Sequence, residues 1–179
     1  MTHVIEMFLD EEADQRVQLL WSQLSDAGIP SLATYSHGRH RPHVTLCGAP
    51  ELGFDDLAEA SEIIAGQLPT LTLGTLGAFP GHKGALFLGV VPSVELLDLN
   101  ARLHAQLVSG KGRQWRFSGP GQWVPHCTLA NGLTAAERAR GLEACADFES
   151  FDSRVSAICV IDAATGERLT VLAQQSSGA

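Results

Sequence analysis

The sequence predicts an α+β fold in which short antiparallel strands and hairpins alternate with helices. Three observations predict it. Four segments read as helices, and three of these open on a side chain suited to capping, Asp10, Ser93 and Thr134. Between them lie seven short apolar or β-branched runs with strand character. Two pairs of these runs are joined by glycine-containing turns, at 80–84 and 165–166, which favours hairpins. The order β-α-β-α-β-β-α-β-α-β-β suits an α+β arrangement better than a doubly wound parallel sheet.

Residues 4–9 are apolar and partly β-branched, a strand. Asp10 follows as an N-cap, with Glu11 and Glu12 in the first turn where carboxylates suit the helix dipole. Ala13, Val17, Leu20, Trp21 and Leu24 recur at helical spacing until Gly28 supplies the stop. A loop rich in His, Gly and Arg, residues 36–42, leads into a short strand at 43–47. Residues 54–67 form a second helix with Leu57, Ala60 and Ile64 inward, and 71–79 and 85–91 form a hairpin. Ser93 opens a third helix whose inner side carries Leu96, Leu97, Leu99, Leu103 and Leu107, ended by Gly110. Residues 111–121 form a loop or edge segment and 123–130 a strand. Thr134-Ala135-Ala136-Glu137 has the form of a capping box and starts a helix to about residue 146. Strands at 154–162 and 168–172 finish the chain.

Composition sets the frame. With 45 % hydrophobic and 18 % charged residues, a 179-residue chain has material for one domain or two small lobes sharing an interface. Only the small, polar tail, residues 174–179, reads as disordered. The opening Met1-Thr2-His3-Val4-Ile5-Glu6 lacks a basic region followed by an apolar stretch, and the longest apolar runs are far too short for a bilayer. A soluble cytoplasmic monomer with no membrane partner is expected. Cys47, Cys127, Cys145 and Cys159 show no paired spacing, so reduced, packed thiols are expected. A formal net charge of −8 argues against coating long nucleic acid, yet a few local donors suffice for one phosphate.

Two segments carry the chemistry. Pro42-His43-Val44-Thr45-Leu46 and Pro125-His126-Cys127-Thr128-Leu129 match at four of five positions. In a strand alternate side chains share a face, so His43 and Thr45 project together and Val44 and Leu46 oppose them. His126 and Thr128 pair in the same way, with Cys127 and Leu129 turned to the core. Histidine titrates near neutrality, so two imidazoles can divide the work of base and acid. Two threonine hydroxyls can hydrogen-bond non-bridging phosphate oxygens between them.

On these motifs the sequence resembles the two-histidine (2H) phosphoesterases, in particular their bacterial 2′–5′ RNA ligase-like, RNA 2′,3′-cyclic phosphodiesterase branch. The likeness covers nearly the whole chain: the opening strand and helix, both His-x-Thr-Leu strands, and the hairpin and Ser93-capped helix between them. It implies a bilobal, pseudo-twofold fold whose antiparallel sheets line a central cleft, with helices outside. It also implies His43 and His126 as catalytic groups and Thr45 and Thr128 as phosphate-binding groups. The implied reaction is hydrolysis of cyclic phosphodiesters, or reversible 2′–5′ joining of RNA ends, without ATP, metal or other cofactor. Many members of that branch carry Arg or Lys three residues after the second threonine; here that place is Asn131. Arg39, Arg41 or Lys83 are candidates to replace the missing cation, and small cyclic nucleotides stand beside RNA ends as candidate substrates.

The remaining signals have blander readings. His37, His40 and His43 are spaced by three, but Pro42 forbids a regular helix through them, so no metal site is expected. Cys127 and His126 project to opposite faces and are badly placed for proton transfer. Residues 111–117 interleave Lys111 and Arg113 with Trp115, Arg116 and Phe117. That pattern fits either a base-stacking segment touching substrate through Trp115 and Arg116 or a solvated loop. Trp123 reads as core or cleft wall, and His82 and Lys83 as a solvated turn. His3 and His104 have no evident partner. No phosphate-binding loop or dinucleotide fingerprint occurs. Against hydrolysis stand a 2′–5′ ligase and a non-catalytic module that recognises RNA ends or nucleotides. Which histidine is acid and which base is open at this level.

Overall fold

A computed structural model describes residues 2–50, 52–66, 68–108 and 118–175. Its strands are β1 (Thr2–Leu9), β2 (His43–Pro50), β3 (Thr70–Phe79), β4 (Gly84–Val90), β5 (His126–Leu133), β6 (Phe151–Asp162) and β7 (Arg168–Gln174). Its helices are α1 (Glu11–Asp26), α2 (Phe54–Ile64), α3 (Val94–Leu107) and α4 (Ala135–Ala144), with a short 3-10 turn at Leu32–Thr34. The α+β class and antiparallel pairing hold throughout. The strands join in the order β1-β2-β5-β4-β3-β6-β7, and β1 also pairs with β6, so six of them form a closed circuit. Helices α2 and α3 pack together beside β7 and β2, whereas α4 lies against β4, β3 and β5, and α1 against α4, β5, β6 and β1. The two helix pairs, α2 with α3 and α1 with α4, flank this one seven-stranded sheet in a bilobal arrangement.

Capping starts the helices where expected. Asp10 accepts a bond from the Ala13 amide at 3.1 Å, Ser93 from Leu96 at 3.1 Å, and Thr134 and Glu137 close a reciprocal box. Asp10 also accepts from the Arg154 amide at 2.8 Å, which ties the start of α1 to β6. The core is continuous through both lobes and includes Met7, Leu24, Leu46, Leu88, Leu103, Leu129 and Ile158. All four cysteines are buried and unpaired with one another.

Several boundaries differ from expectation for identifiable reasons. Leu97 is 43 % exposed, because the buried stripe of α3 runs through Leu96, Leu99, Asn100, Leu103 and Leu107. Adjacent leucines on a helix cannot both face one core. Helix α2 stops at Ile64, two residues before Gly66 at φ +73°, and so does not reach residue 67. Strand β5 starts at His126 instead of residue 123, since Pro125 has no N–H for the ladder and contributes only its carbonyl, bonded to the Val90 amide. Strand β6 begins earlier, at Phe151, because residues 151–154 pair with β3. Gln174 ends β7 opposite Ala157 and is not part of a loose tail. Gly110 and residues 176–179 lie outside the described residues. Among the described residues no helix is long and apolar enough to cross a membrane.

Asn100 shows how a buried polar group supports the cleft. Its amide donates to the Leu46 carbonyl at 2.6 Å and the Ser118 carbonyl at 3.0 Å, joining α3, β2 and the start of the segment before β5. Asn100→Ala strips both buried carbonyls of a donor, and a loss of about 2–4 kcal/mol is expected from two such bonds. Urea unfolding measures it; a midpoint equal to wild type would contradict the bonding.

Candidate functional site

Strands β2 and β5 meet at a single pair, Val44 opposite Cys127, both fully buried. That pair is the local pseudo-twofold centre of the two motifs. Continuing its antiparallel register sets each histidine beside the other motif's threonine. Alternation then turns His43, Thr45, His126 and Thr128 to the same side, where all four line one cavity of about 690 Å³. Trp21 on α1 donates its indole N–H to the Thr128 carbonyl at 3.3 Å, holding the second motif from behind.

Both imidazoles are oriented alike. His43 Nδ1 lies 2.6 Å from the Arg41 carbonyl and His126 Nδ1 lies 2.7 Å from the Val124 carbonyl, in each case two residues back along the chain. A carbonyl only accepts, so each Nδ1 carries the hydrogen and each Nε2 is left for the cleft. Aromatic rings flank both: Phe8 stands edge-on to His43 at 6.4 Å, and Phe79 and Phe87 to His126 at 4.9 and 5.3 Å. Burial pushes the His126 pKa down, and a positive charge on His43 adds to this, while the Val124 bond acts in the opposite direction.

Glu6 is the site residue that sequence reasoning missed. It sits in β1 opposite Thr45, nearly buried, with Oε1 3.3 Å from His43 Nε2. Burial raises its pKa, partly offset by His43 and His37. The available signal was a lone carboxylate interrupting the apolar run Val4-Ile5-Glu6-Met7-Phe8, in phase with the cleft-facing Val4 and Phe8.

Arg39, Arg41 and Asn131 all line the cavity; Lys83 does not and is exposed in its turn, as is His82. Arg41 pairs with Asp14 at 3.3 Å and lies over the Phe8 ring, so its charge is held at the cleft wall. Trp123 is half-buried and forms cleft wall. Trp115 and Arg116, with Lys111, Arg113 and Phe117, lie outside the described residues. His3 has a partner after all: its Nδ1 accepts the Leu52 amide at 3.0 Å. The His37 and His40 rings lie 4.1 Å apart and tilted by 36°, and those of His40 and His43 stack at 6.3 Å. Burial and the neighbouring histidines pull His40 down to about 4, so it is neutral at physiological pH. Among the described residues no group of three His, Cys, Asp or Glu side chains has the geometry to hold a metal. Gly166, at φ +69°, lets the His37 ring approach the β6–β7 turn, where any Cβ would collide with it.

Comparison with known proteins identifies the family and the fold. Residues 9–167 match the family model of the 2′-5′ RNA ligase superfamily. The chain has no match among curated protein sequences. Solved structures share its fold, among them the following three. A crystal structure of a phosphoesterase aligns at TM-score 0.53 and 18 % identity, over 97 % of this chain and 95 % of the other. Usb1 from Kluyveromyces marxianus aligns at TM-score 0.52 and 11 % identity, over 92 % and 94 %. The same protein with uridine monophosphate aligns at 0.52 and 12 %, over 95 % of each chain.

Proposed function

Because the chain belongs to the 2′-5′ RNA ligase superfamily, whose members are two-histidine phosphoesterases, we propose that it hydrolyses 2′,3′-cyclic phosphates on RNA ends or small nucleotides. The observation that carries this reading is the presence of two His–Thr pairs in one cavity, each imidazole held by a carbonyl two residues back. One neutral imidazole takes a proton from water as the water oxygen bonds to phosphorus. The bond from phosphorus to the 3′ oxygen breaks, and the other imidazole, protonated, gives its proton to that oxygen. The product is a 2′-phosphate. Thr45 and Thr128 are suited to donate to the non-bridging oxygens, and Arg39 and Arg41, which line the same cavity, are the candidates to add the positive charge that Asn131 does not supply. Uridine monophosphate in a neighbour of the same fold is consistent with a nucleotide ligand.

The family description also favours a second reading, 2′–5′ ligation. If a 5′-hydroxyl of another RNA strand replaces water as the nucleophile, the same acid–base pair yields a 2′–5′ diester without ATP. A purified sample incubated with a nucleoside 2′,3′-cyclic phosphate, and with an RNA oligomer ending in one, tests both. Monoester product, a bell-shaped pH profile and full activity in excess chelator are expected. Longer RNA would indicate ligation. Ligand-induced thermal stabilisation with no product at any pH would leave a binding module and remove the enzymatic reading.

A further inference from the structure

Resting on that acid–base reading, we propose that Glu6 is a positioning residue that keeps a proton on the His43 side of the cleft, so that His43 serves as acid and His126 as base. The two halves of the site are alike in strand register and unlike in one residue. In the first half β1 sets Phe8 opposite His43 and Glu6 opposite Thr45. In the second β4 sets Gly89 opposite His126 and Phe87 opposite Thr128. The position that holds a carboxylate beside one motif therefore holds a phenyl ring beside the other.

This difference decides what each ring can retain. His43 faces an acceptor at both nitrogens: the Arg41 carbonyl at Nδ1 and the Glu6 carboxylate 3.3 Å from Nε2. Such surroundings are matched by a doubly protonated ring, or by one proton shared between Nε2 and the carboxyl. Among the described residues His126 has its hydrogen-bond acceptor at Nδ1, and its remaining surroundings include the rings of Phe79 and Phe87. Among the described residues no carboxylate stands at the place matching Glu6, where Phe87 lies instead, so a second proton on His126 Nε2 has no charged partner there. Burial acts the same way on both sides, lowering the His126 pKa and raising that of Glu6. The groups facing Glu6 are His43 and Thr45 from β2, His37 from the preceding loop and Cys159 from β6, with Arg41 and Arg168 acting on Cys159.

In the resulting step His126 Nε2 takes the proton of the attacking water and His43 Nε2 releases one to the 3′ oxygen as its bond to phosphorus breaks. His43 is then neutral beside the Glu6 carboxylate, which favours recovery of a proton from solvent. Water and one P–O bond are consumed, and a monoester and an alcohol are formed.

The test uses Glu6→Gln with two esters, a nucleoside 2′,3′-cyclic phosphate and a nucleoside p-nitrophenyl phosphate, whose leaving group needs no proton. On the cyclic ester kcat is expected to fall about 30-fold, short of the roughly 10²–10⁴ lost with a general acid itself because His43 remains in place, with KM little changed. The descending limb of the pH profile should move to lower pH. The losses caused by Glu6→Gln and His43→Ala should be much smaller on the p-nitrophenyl ester than on the cyclic ester, whereas the loss caused by His126→Ala should be similar on both. Melting separates this from damage to the fold. A buried carboxyl with a raised pKa favours the folded state below its unfolded value and loses that contribution as pH rises through the folded value. Glu6→Gln should therefore melt with wild type in acid and at or above it near neutrality. An unmoved descending limb, equal losses on both esters, or rescue of His126→Ala would overturn the proposal and leave the phosphodiesterase reading intact. Failure of wild type to open any cyclic phosphate would remove that reading itself.

Discussion

Alanine at either His43 or His126 is expected to lower kcat on a 2′,3′-cyclic phosphate by about 10²–10⁴, the usual contribution of a positioned acid or base. Each ring faces the cavity, so little packing is lost with it. His43 touches Phe8 on one side, and His126 touches Phe79 and Phe87, while the strands beneath stay fastened by Val44, Leu46, Cys127 and Leu129. Stability should change by about 1 kcal/mol or less, as for partly exposed substitutions away from the core. The two losses should not add. Once one partner in a proton relay is gone the other has little left to do, so the double variant should resemble the worse single one. Turnover and circular dichroism on the same preparations check this. Wild-type turnover by the double variant would end the assignment of these histidines.

Trp21→Ala should produce the largest loss of stability, about 3–5 kcal/mol, as for other buried aromatic truncations. Trp21 is 4 % exposed on the inner face of α1, beside Val17, Leu20 and Leu24. The variant would open a cavity between α1 and β5 and remove the donor to the Thr128 carbonyl. Trp21→Phe separates the two effects. It retains most of the ring volume and forfeits one hydrogen bond, so a loss near 1 kcal/mol is expected from the bond alone, plus any cost of imperfect packing. Because that bond holds the strand bearing His126 and Thr128, Trp21→Phe should also reduce turnover a few-fold with an intact fold. Denaturant titration of both variants decides the matter; equal midpoints for Ala and Phe would show that packing around Trp21 has been misjudged.

Much of this architecture was legible from local pattern. Asp10, Ser93 and Thr134 open their helices, since a capping bond joins residues only three apart. The hairpins and the alternation in both motif strands were legible for the same reason. Leu97 was misplaced because three closely spaced leucines do not reveal which stripe of α3 finds a partner. Asn100 occupies a buried place on that stripe because it bonds carbonyls of two distant segments. Glu6 escaped notice because a single acid in an apolar strand has several meanings until its neighbours across the sheet are known.

Residue identities and a two-residue strand repeat were enough to put each histidine beside a threonine on one polar face, with apolar residues behind. Tertiary structure alone decided that the two faces share a cavity, that Glu6 stands by one imidazole and Phe87 occupies the matching place by the other, and that Arg39 and Arg41 join the wall while Lys83 does not. The reason is the range of the forces involved. Alternation follows from backbone geometry within a strand, whereas register between β1 and β2, or β4 and β5, is set by burying whole faces contributed by segments far apart in the chain.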